Sequence, residues 1–243
     1  METKDFDSYS ERKAFDETKG VKGLVDAHIT ETSTCHVHVS RPRVVEKIKD
    51  AAEKWGFFQM VNHGVPLSVL EEMRDGVPRF FEQDLEVKKS YLSRDATKKF
   101  VYNSNFDLYS STACVNWRDS FACYMSSDPP TPEELPGCYD RTLEAYDELG
   151  ALLFELLSEA LGLSADMLKS MDCMKGLFMI CHSYPPCPQL DRTIGTNHHS
   201  DNSFLTILLQ DQVGGLQIHY KDCWVDVSPI PGLLLLTSEI SCR

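Results

Sequence analysis

Leu177-Phe178-Met179-Ile180-Cys181-His182-Ser183-Tyr184 is an apolar run with no internal glycine or proline, and Pro185-Pro186 follows it directly. A run this short, closed by residues that cannot continue a ladder, reads as a short strand. Four similar segments follow, at 204–210, 216–220, 223–227 and 233–236, separated by turn formers such as Gly214-Gly215 and Pro231-Gly232. Upstream of Lys175-Gly176 the pattern is different and mostly helical. Helices first and consecutive short strands afterwards predict an α+β fold, with N-terminal helices packed on a double-stranded β-helix, or jelly roll.

The helical half is legible in its spacing. Leu143, Tyr146, Leu149, Leu152, Leu153, Leu156, Leu157, Ala160 and Leu161 form one wide apolar face that Gly162 closes. Val44, Val45, Ile48, Ala51, Ala52 and Trp55 repeat the pattern and stop at Gly56. Residues 57–61 then read as a short strand ending in the turn Asn62-His63-Gly64. Ser68 with Glu71 suggests a capping box for a helix carrying Leu70, Met73 and Val77, which Gly76 and Pro78 should limit. The expected organisation is an N-terminal arm over 1–43, a helical region over 44–170 and a partial jelly roll over 171–243.

Composition narrows the partners. The 243 residues carry a formal charge of -13, which disfavours nucleic acid or an anionic membrane as partner. The apolar run 233–236 is far too short to span a bilayer. Met1 is followed by Glu2, Lys4 and Asp5 with no apolar stretch, so no secretory signal is expected. The nine cysteines are odd in number and irregular in spacing, which fits reduced thiols and a cytoplasmic setting.

His199-Ser200-Asp201 is the candidate metal site. In extended backbone, residues i and i+2 face the same way, so both side chains can reach one ion. A histidine and a carboxylate make two thirds of the facial triad of non-haem Fe(II) oxygenases. Tyr184-Pro185-Pro186-Cys187-Pro188, Thr193-Ile194-Gly195, His199-Ser200-Asp201, Leu208-Leu209-Gln210-Asp211, Gly214-Gly215-Leu216-Gln217 and Trp224-Val225-Asp226-Val227 follow in that order. With Trp55-Gly56-Phe57-Phe58-Gln59 and Val61-Asn62-His63-Gly64-Val65-Pro66 upstream, this order closely resembles the plant 2-oxoglutarate/Fe(II)-dependent dioxygenase superfamily. The arm from Phe15 to Asp26, Asn116-Trp117-Arg118-Asp119 and Met171-Asp172-Cys173 resemble a narrower group, the 1-aminocyclopropane-1-carboxylate oxidase homologues.

The resemblance implies Fe(II), with 2-oxoglutarate as co-substrate, O2, and a small plant metabolite as substrate; it also allows ascorbate. Oxidative decarboxylation of the 2-oxo acid drives attack on an unactivated C–H bond. His199 and Asp201 would be two iron ligands, and Tyr184 matches the tyrosine that contacts a 2-oxoglutarate carboxylate. His182 stands where the wider superfamily has asparagine.

Two departures qualify these expectations. The strand before the first helix looks shortened around residues 29–43, where Cys35-His36-Val37-His38-Val39 could substitute. After Pro231-Gly232, the family's distal histidine and Arg-x-Ser pair have no counterpart, so truncation and impaired activity are expected. The alternative reading is an inactive isoform that binds or dimerises through exposed strand edges. A third is metal binding through His36 and His38, a pair that otherwise reads as a solvated edge. The bland expectations elsewhere are a structural turn for His63, a surface position for His219, and the opposite face from His199 for His198. Arg118 with Asp119 is expected to form a structural ion pair, with Trp117 as core anchor.

Overall fold

The computed structural model describes residues 40–95, 98–104, 116–125 and 140–238. The arm through residue 39, with its His36/His38 pair and substitute strand, lies outside the described residues. The elements run α1 (Arg41–Lys54), β1 (Phe57–Met60), α2 (Leu67–Phe81), α3 (Leu85–Ser90), β2 (Phe100–Ser104) and β3 (Asp119–Tyr124). Then come α4 (Asp140–Ala160), α5 (Met167–Ser170), β4 (Phe178–Ser183), a 3-10 turn (Leu190–Arg192), β5 (Leu205–Leu208), β6 (Gln217–Tyr220), β7 (Cys223–Asp226) and β8 (Leu234–Ser238). All the paired strands are antiparallel: one sheet is β1-β8-β5, a second is β2-β3-β4, and β6-β7 is a hairpin. The mixed α+β class expected from the sequence is what folds, and each of the five strand segments from 177 onward forms a strand.

Gly56 makes the first reversal. Its φ of +71° is a conformation that L side chains rarely adopt, and it turns the chain from α1 into β1. Its carbonyl accepts the N–H of Ser238 at 2.8 Å, tying that corner to β8. β8 is the central strand of its sheet, with Leu234, Leu235 and Leu236 all buried. Successive strand residues point to opposite faces. Leu234 and Leu236 pack with Val65, Val69 and Leu70 beside Leu149 and Leu153 of α4, leaving Leu235 and Thr237 on the other face. On Leu235's side an open cleft of about 270 Å³ is lined by Trp55, Phe57, Gln59, Ile218 and Asp226.

The second core joins α2 to the β2-β3-β4 sheet through Met73, Phe80, Phe100, Tyr102, Phe121, Cys123 and Cys181. A third packs Ile48 of α1 on Phe154, Leu156, Leu157 and Ala160 of α4 and Leu168 of α5. Leu209, just after β5, packs against both sheet cores and joins them.

Helix α2 departs from its expected limits. It begins at Leu67 with Pro66 as N-cap and no side-chain cap bond, so Ser68 lies inside the first turn and the capping box with Glu71 does not form. The helix also runs through Gly76 and Pro78 to Phe81. Proline removes one helix hydrogen bond, but stopping there would withdraw Phe80 from its aromatic contacts. Packing overrides the local breaker.

Candidate functional site

His199 and Asp201 lie in the loop between the 3-10 turn and β5 and not in a regular strand. Their side chains nevertheless converge, with Nε2 of His199 3.7 Å from Oδ1 of Asp201. Nδ1 of His199 is 2.8 Å from the carbonyl oxygen of Asn197. A carbonyl only accepts, so in the neutral ring Nδ1 holds the proton and Nε2 keeps its lone pair toward the carboxylate. The other carboxylate oxygen, Oδ2, accepts from the Thr237 hydroxyl at 3.4 Å. Thus Nε2 and Oδ1 are the two donor atoms left facing one another. His199 and Asp201 would be the residues that hold a divalent cation there. Among the described residues no group of three or more His, Cys, Asp or Glu could hold a metal.

Tyr184, directly after β4, lies over Gly195. A Cβ at Gly195 would come within 3.1 Å of Cδ1 and Cε1 of the Tyr184 ring, tighter than ordinary van der Waals contact, so any larger residue would push the ring aside. Tyr184 remains 52% exposed, which places it at an open edge and not in the core. The neighbouring strand positions are polar. Ser120 of β3 pairs with His182 of β4 in register, and Ser120 Oγ is 2.7 Å from His182 Nδ1. The His182 ring is pushed down to about 4, first by burial, then by the positive charge of Arg118 and then by His199. It is therefore a neutral imidazole at the edge of the site.

Asn116-Trp117-Arg118-Asp119 does not do what was expected of it. Asp119 accepts from the hydroxyls of Ser104 and Tyr102, and Arg118 donates through Nη1 to Thr196 Oγ1 at 2.8 Å. Neighbours on a strand face opposite ways, so the two charges never pair. Trp117 is 39% exposed and donates Nε1 to the carbonyl of Pro185 at 2.8 Å. It clamps the proline turn and is not a core anchor.

The remaining histidines separate cleanly. His63 takes the N–H of Val65 on Nδ1 at 3.2 Å, so its Nε2 donates to the carbonyl of Gly232 at 3.0 Å, a structural turn residue as expected. His219 is exposed, and its ring lies against those of His198 and Trp224 of the β6-β7 hairpin. Thr237, Asn197, Gly195 and Arg118 escaped sequence reading as site residues. Gly195 alone had a local signal, since a glycine within an extended segment can mark a close backbone approach.

Antiparallel sheets packed with helices are the architecture of a jelly-roll type of protein. The sequence matches the family described as non-haem dioxygenase in morphine synthesis, N-terminal, over residues 29–141, and the 2OG-Fe(II) oxygenase superfamily over residues 175–240. It is 65% identical to 1-aminocyclopropane-1-carboxylate oxidase homolog 6 of Arabidopsis thaliana over 269 positions, covering 97% of this chain and 75% of that protein. Homolog 12 of the same plant is 57% identical, covering 96% of this chain and 74% of that protein. Among solved structures, JOX2 in complex with 2OG, Fe and JA superposes with a TM-score of 0.70 at 26% identity, covering 80% of this chain. The chain spans 60% of JOX2's length. Dioxygenase for auxin oxidation 1 of Arabidopsis thaliana, in its 2-oxoglutarate complex, superposes with a TM-score of 0.65 at 24% identity, covering 84% of this chain and 77% of that one.

The chain belongs to the plant 2-oxoglutarate/Fe(II)-dependent dioxygenase superfamily, in its 1-aminocyclopropane-1-carboxylate oxidase homologue group. Fe(II) and 2-oxoglutarate are the cofactor and co-substrate of that family. The first alignment is longer than the 243 residues of this chain. Homolog 6 therefore holds internal sequence that this chain lacks.

Proposed function

We propose that this chain acts as a 2-oxoglutarate/Fe(II)-dependent oxygenase on a small plant metabolite, with His199 and Asp201 as protein ligands of the iron. The observation that carries the proposal is the orientation of His199, whose Nδ1 faces the Asn197 carbonyl while Nε2 faces Asp201. A backbone carbonyl that holds one ring nitrogen and leaves the other for a metal is the usual outer-sphere arrangement of a ligand histidine. When bound, the iron supplies O2 activation coupled to decarboxylation of the 2-oxo acid. Asp201 offers Oδ1 while Thr237 steadies Oδ2, and Tyr184 presents its hydroxyl to a 2-oxoglutarate carboxylate from the open edge over Gly195.

In this reading 44–170 is the helical scaffold and 171–243 the catalytic jelly roll, in a reducing cytosolic setting. Among the described residues no helix is long and apolar enough to cross a membrane. A second reading is favoured by the ligand count, because only two donors converge among the described residues. In that reading the chain is a binding or dimerising module whose edge strands β1, β5, β2 and β4 associate with other chains. Anaerobic addition of Fe(II) and 2-oxoglutarate separates the two. A visible charge-transfer band that His199→Ala abolishes is expected of the oxygenase. No band, together with dimers on size exclusion, would transfer the case to the module.

A further inference from the structure

Arg118 precedes β3 by one residue, and its charge acts on His182 of the part-buried Ser120–His182 pair. Its guanidinium has three nitrogens, and only Nη1 has a partner, the Thr196 hydroxyl at 2.8 Å. Nε is buried and has no hydrogen-bond partner. Among the described residues Arg118 makes no ion pair, since Asp119 is turned away to Ser104 and Tyr102. A guanidinium keeps its charge inside a protein, and a buried donor without an acceptor costs free energy. The unused edge is the one formed by Nε and Nη2, and two parallel N–H groups on that edge match a carboxylate.

The position of this edge is informative. Thr196 is followed by Asn197, whose carbonyl orients His199. Arg118 also contributes to the downward shift of His182, after burial. Through Thr196 the cation is tied to the loop segment that carries His199 and Asp201. We infer that Arg118 anchors a carboxylate-binding subsite beside the His199–Asp201 pair, using Nε and Nη2. The inference rests on the oxygenase reading only for its purpose, and the subsite binds its anion whether or not metal is present. The carboxylate comes either from an acidic substrate or from the 2-oxo acid.

Arginine-selective NMR of the full chain tests this, with the Arg118 Nε–H resonance assigned by its loss in Arg118→Lys. Millimolar 2-oxoglutarate or benzoate is expected to shift that resonance saturably, and benzamide is not. Arg118→Gln should weaken the active carboxylate at least tenfold, whereas Thr196→Val, which leaves the Nε–Nη2 edge intact, should change it less than threefold. A shift by 2-oxoglutarate alone assigns the subsite to the co-substrate, and a benzoate shift that survives saturating 2-oxoglutarate assigns it to the substrate. Manganese(II) affinity, read by electron paramagnetic resonance, should be the same in Arg118→Gln and the parent chain. Loss of metal binding in the parent would sink the oxygenase reading without touching the subsite. The subsite is overturned if neither carboxylate moves the resonance, if benzamide moves it equally, or if Arg118→Gln changes only the melting temperature.

Discussion

The hydroxyl of Thr237 on β8 donates to Oδ2 of Asp201 at 3.4 Å, across 36 positions of sequence. A central strand of the fold thereby reaches the carboxylate of the candidate metal site. Partners of this kind orient a ligand and are worth roughly 10–100-fold in metal affinity. The long distance places this one at the low end. Thr237→Val is expected to weaken manganese(II) binding about tenfold, while Thr237→Ser retains the donor and the affinity. Equal affinities for the valine variant and the parent chain would remove β8 from the site.

Tyr184 and Gly195 provide a test of the cofactor side. With a Cβ at 195 only 3.1 Å from two ring atoms, Gly195→Ala forces the ring to shift by a few tenths of an ångström. The expected result is weaker 2-oxoglutarate binding with unchanged manganese(II) affinity. Tyr184→Phe removes one hydrogen bond, worth about 1 kcal/mol, and should raise the 2-oxoglutarate dissociation constant by roughly fivefold. Isothermal titration of both variants decides this. A tyrosine that only fills space would show no change on loss of its hydroxyl.

Legibility in the sequence followed how local the cause was. The stripe from Tyr146 to Ala160 and the strands from β4 onward are written in short-range periodicity, and they form where expected. β2 and β3 were not read. Both faces of β3 are buried, with Phe121 and Cys123 against α2 while Ser120 and Ala122 are equally inaccessible on the other side. A strand buried on two faces loses the alternation that marks a half-exposed one. Helix α2 ran past Gly76 and Pro78 because its C-terminal aromatics pack against residues 20 to 41 positions downstream, which no local rule sees. Likewise His199 and Asp201 stood out by type and spacing, but Thr237, Asn197 and Arg118 act through folding that brings separate segments together. The Arg118–Asp119 pairing was excluded by strand alternation itself, once those residues are known to lead into a strand.

Phe80 should be the costliest single truncation in the helix-sheet core. It is 1% exposed, and its ring meets those of Phe81, Tyr91, Phe100, Tyr102 and Phe121 at centroid distances from 4.7 to 5.9 Å. Phe80→Ala is expected to cost about 4 kcal/mol, from lost burial and the cavity left behind. Trp55 stacks on Tyr220 at 4.0 Å but is 46% exposed, so Trp55→Ala should cost about 1 kcal/mol. Urea unfolding with an unchanged slope measures both. A smaller loss for Phe80 than for Trp55 would mean that the aromatic cluster is not the core it resembles.

His182 makes stability depend on pH in a defined direction. Its folded-state value is held near 4, mainly by burial and then by Arg118 and His199, against 6.5 in the unfolded chain. Above 6.5 the ring is neutral in both states and adds no pH dependence. As pH falls below 6.5 the unfolded chain takes up the proton first, so stability drops through the window from 6.5 to 4 and levels off below it. The full loss is on the order of 3 kcal/mol, at about 1.4 kcal/mol for each unit of separation. His182→Asn cannot titrate, and asparagine can still bond to the Ser120 hydroxyl. Urea unfolding at pH 7.5 and pH 5 should therefore show a fall for the parent chain that exceeds the fall for His182→Asn by about 2 kcal/mol. Carboxylates titrating at the lower end affect both chains alike and cancel in that difference. Equal falls would mean that the ring takes up its proton as readily in the folded state as in the unfolded chain.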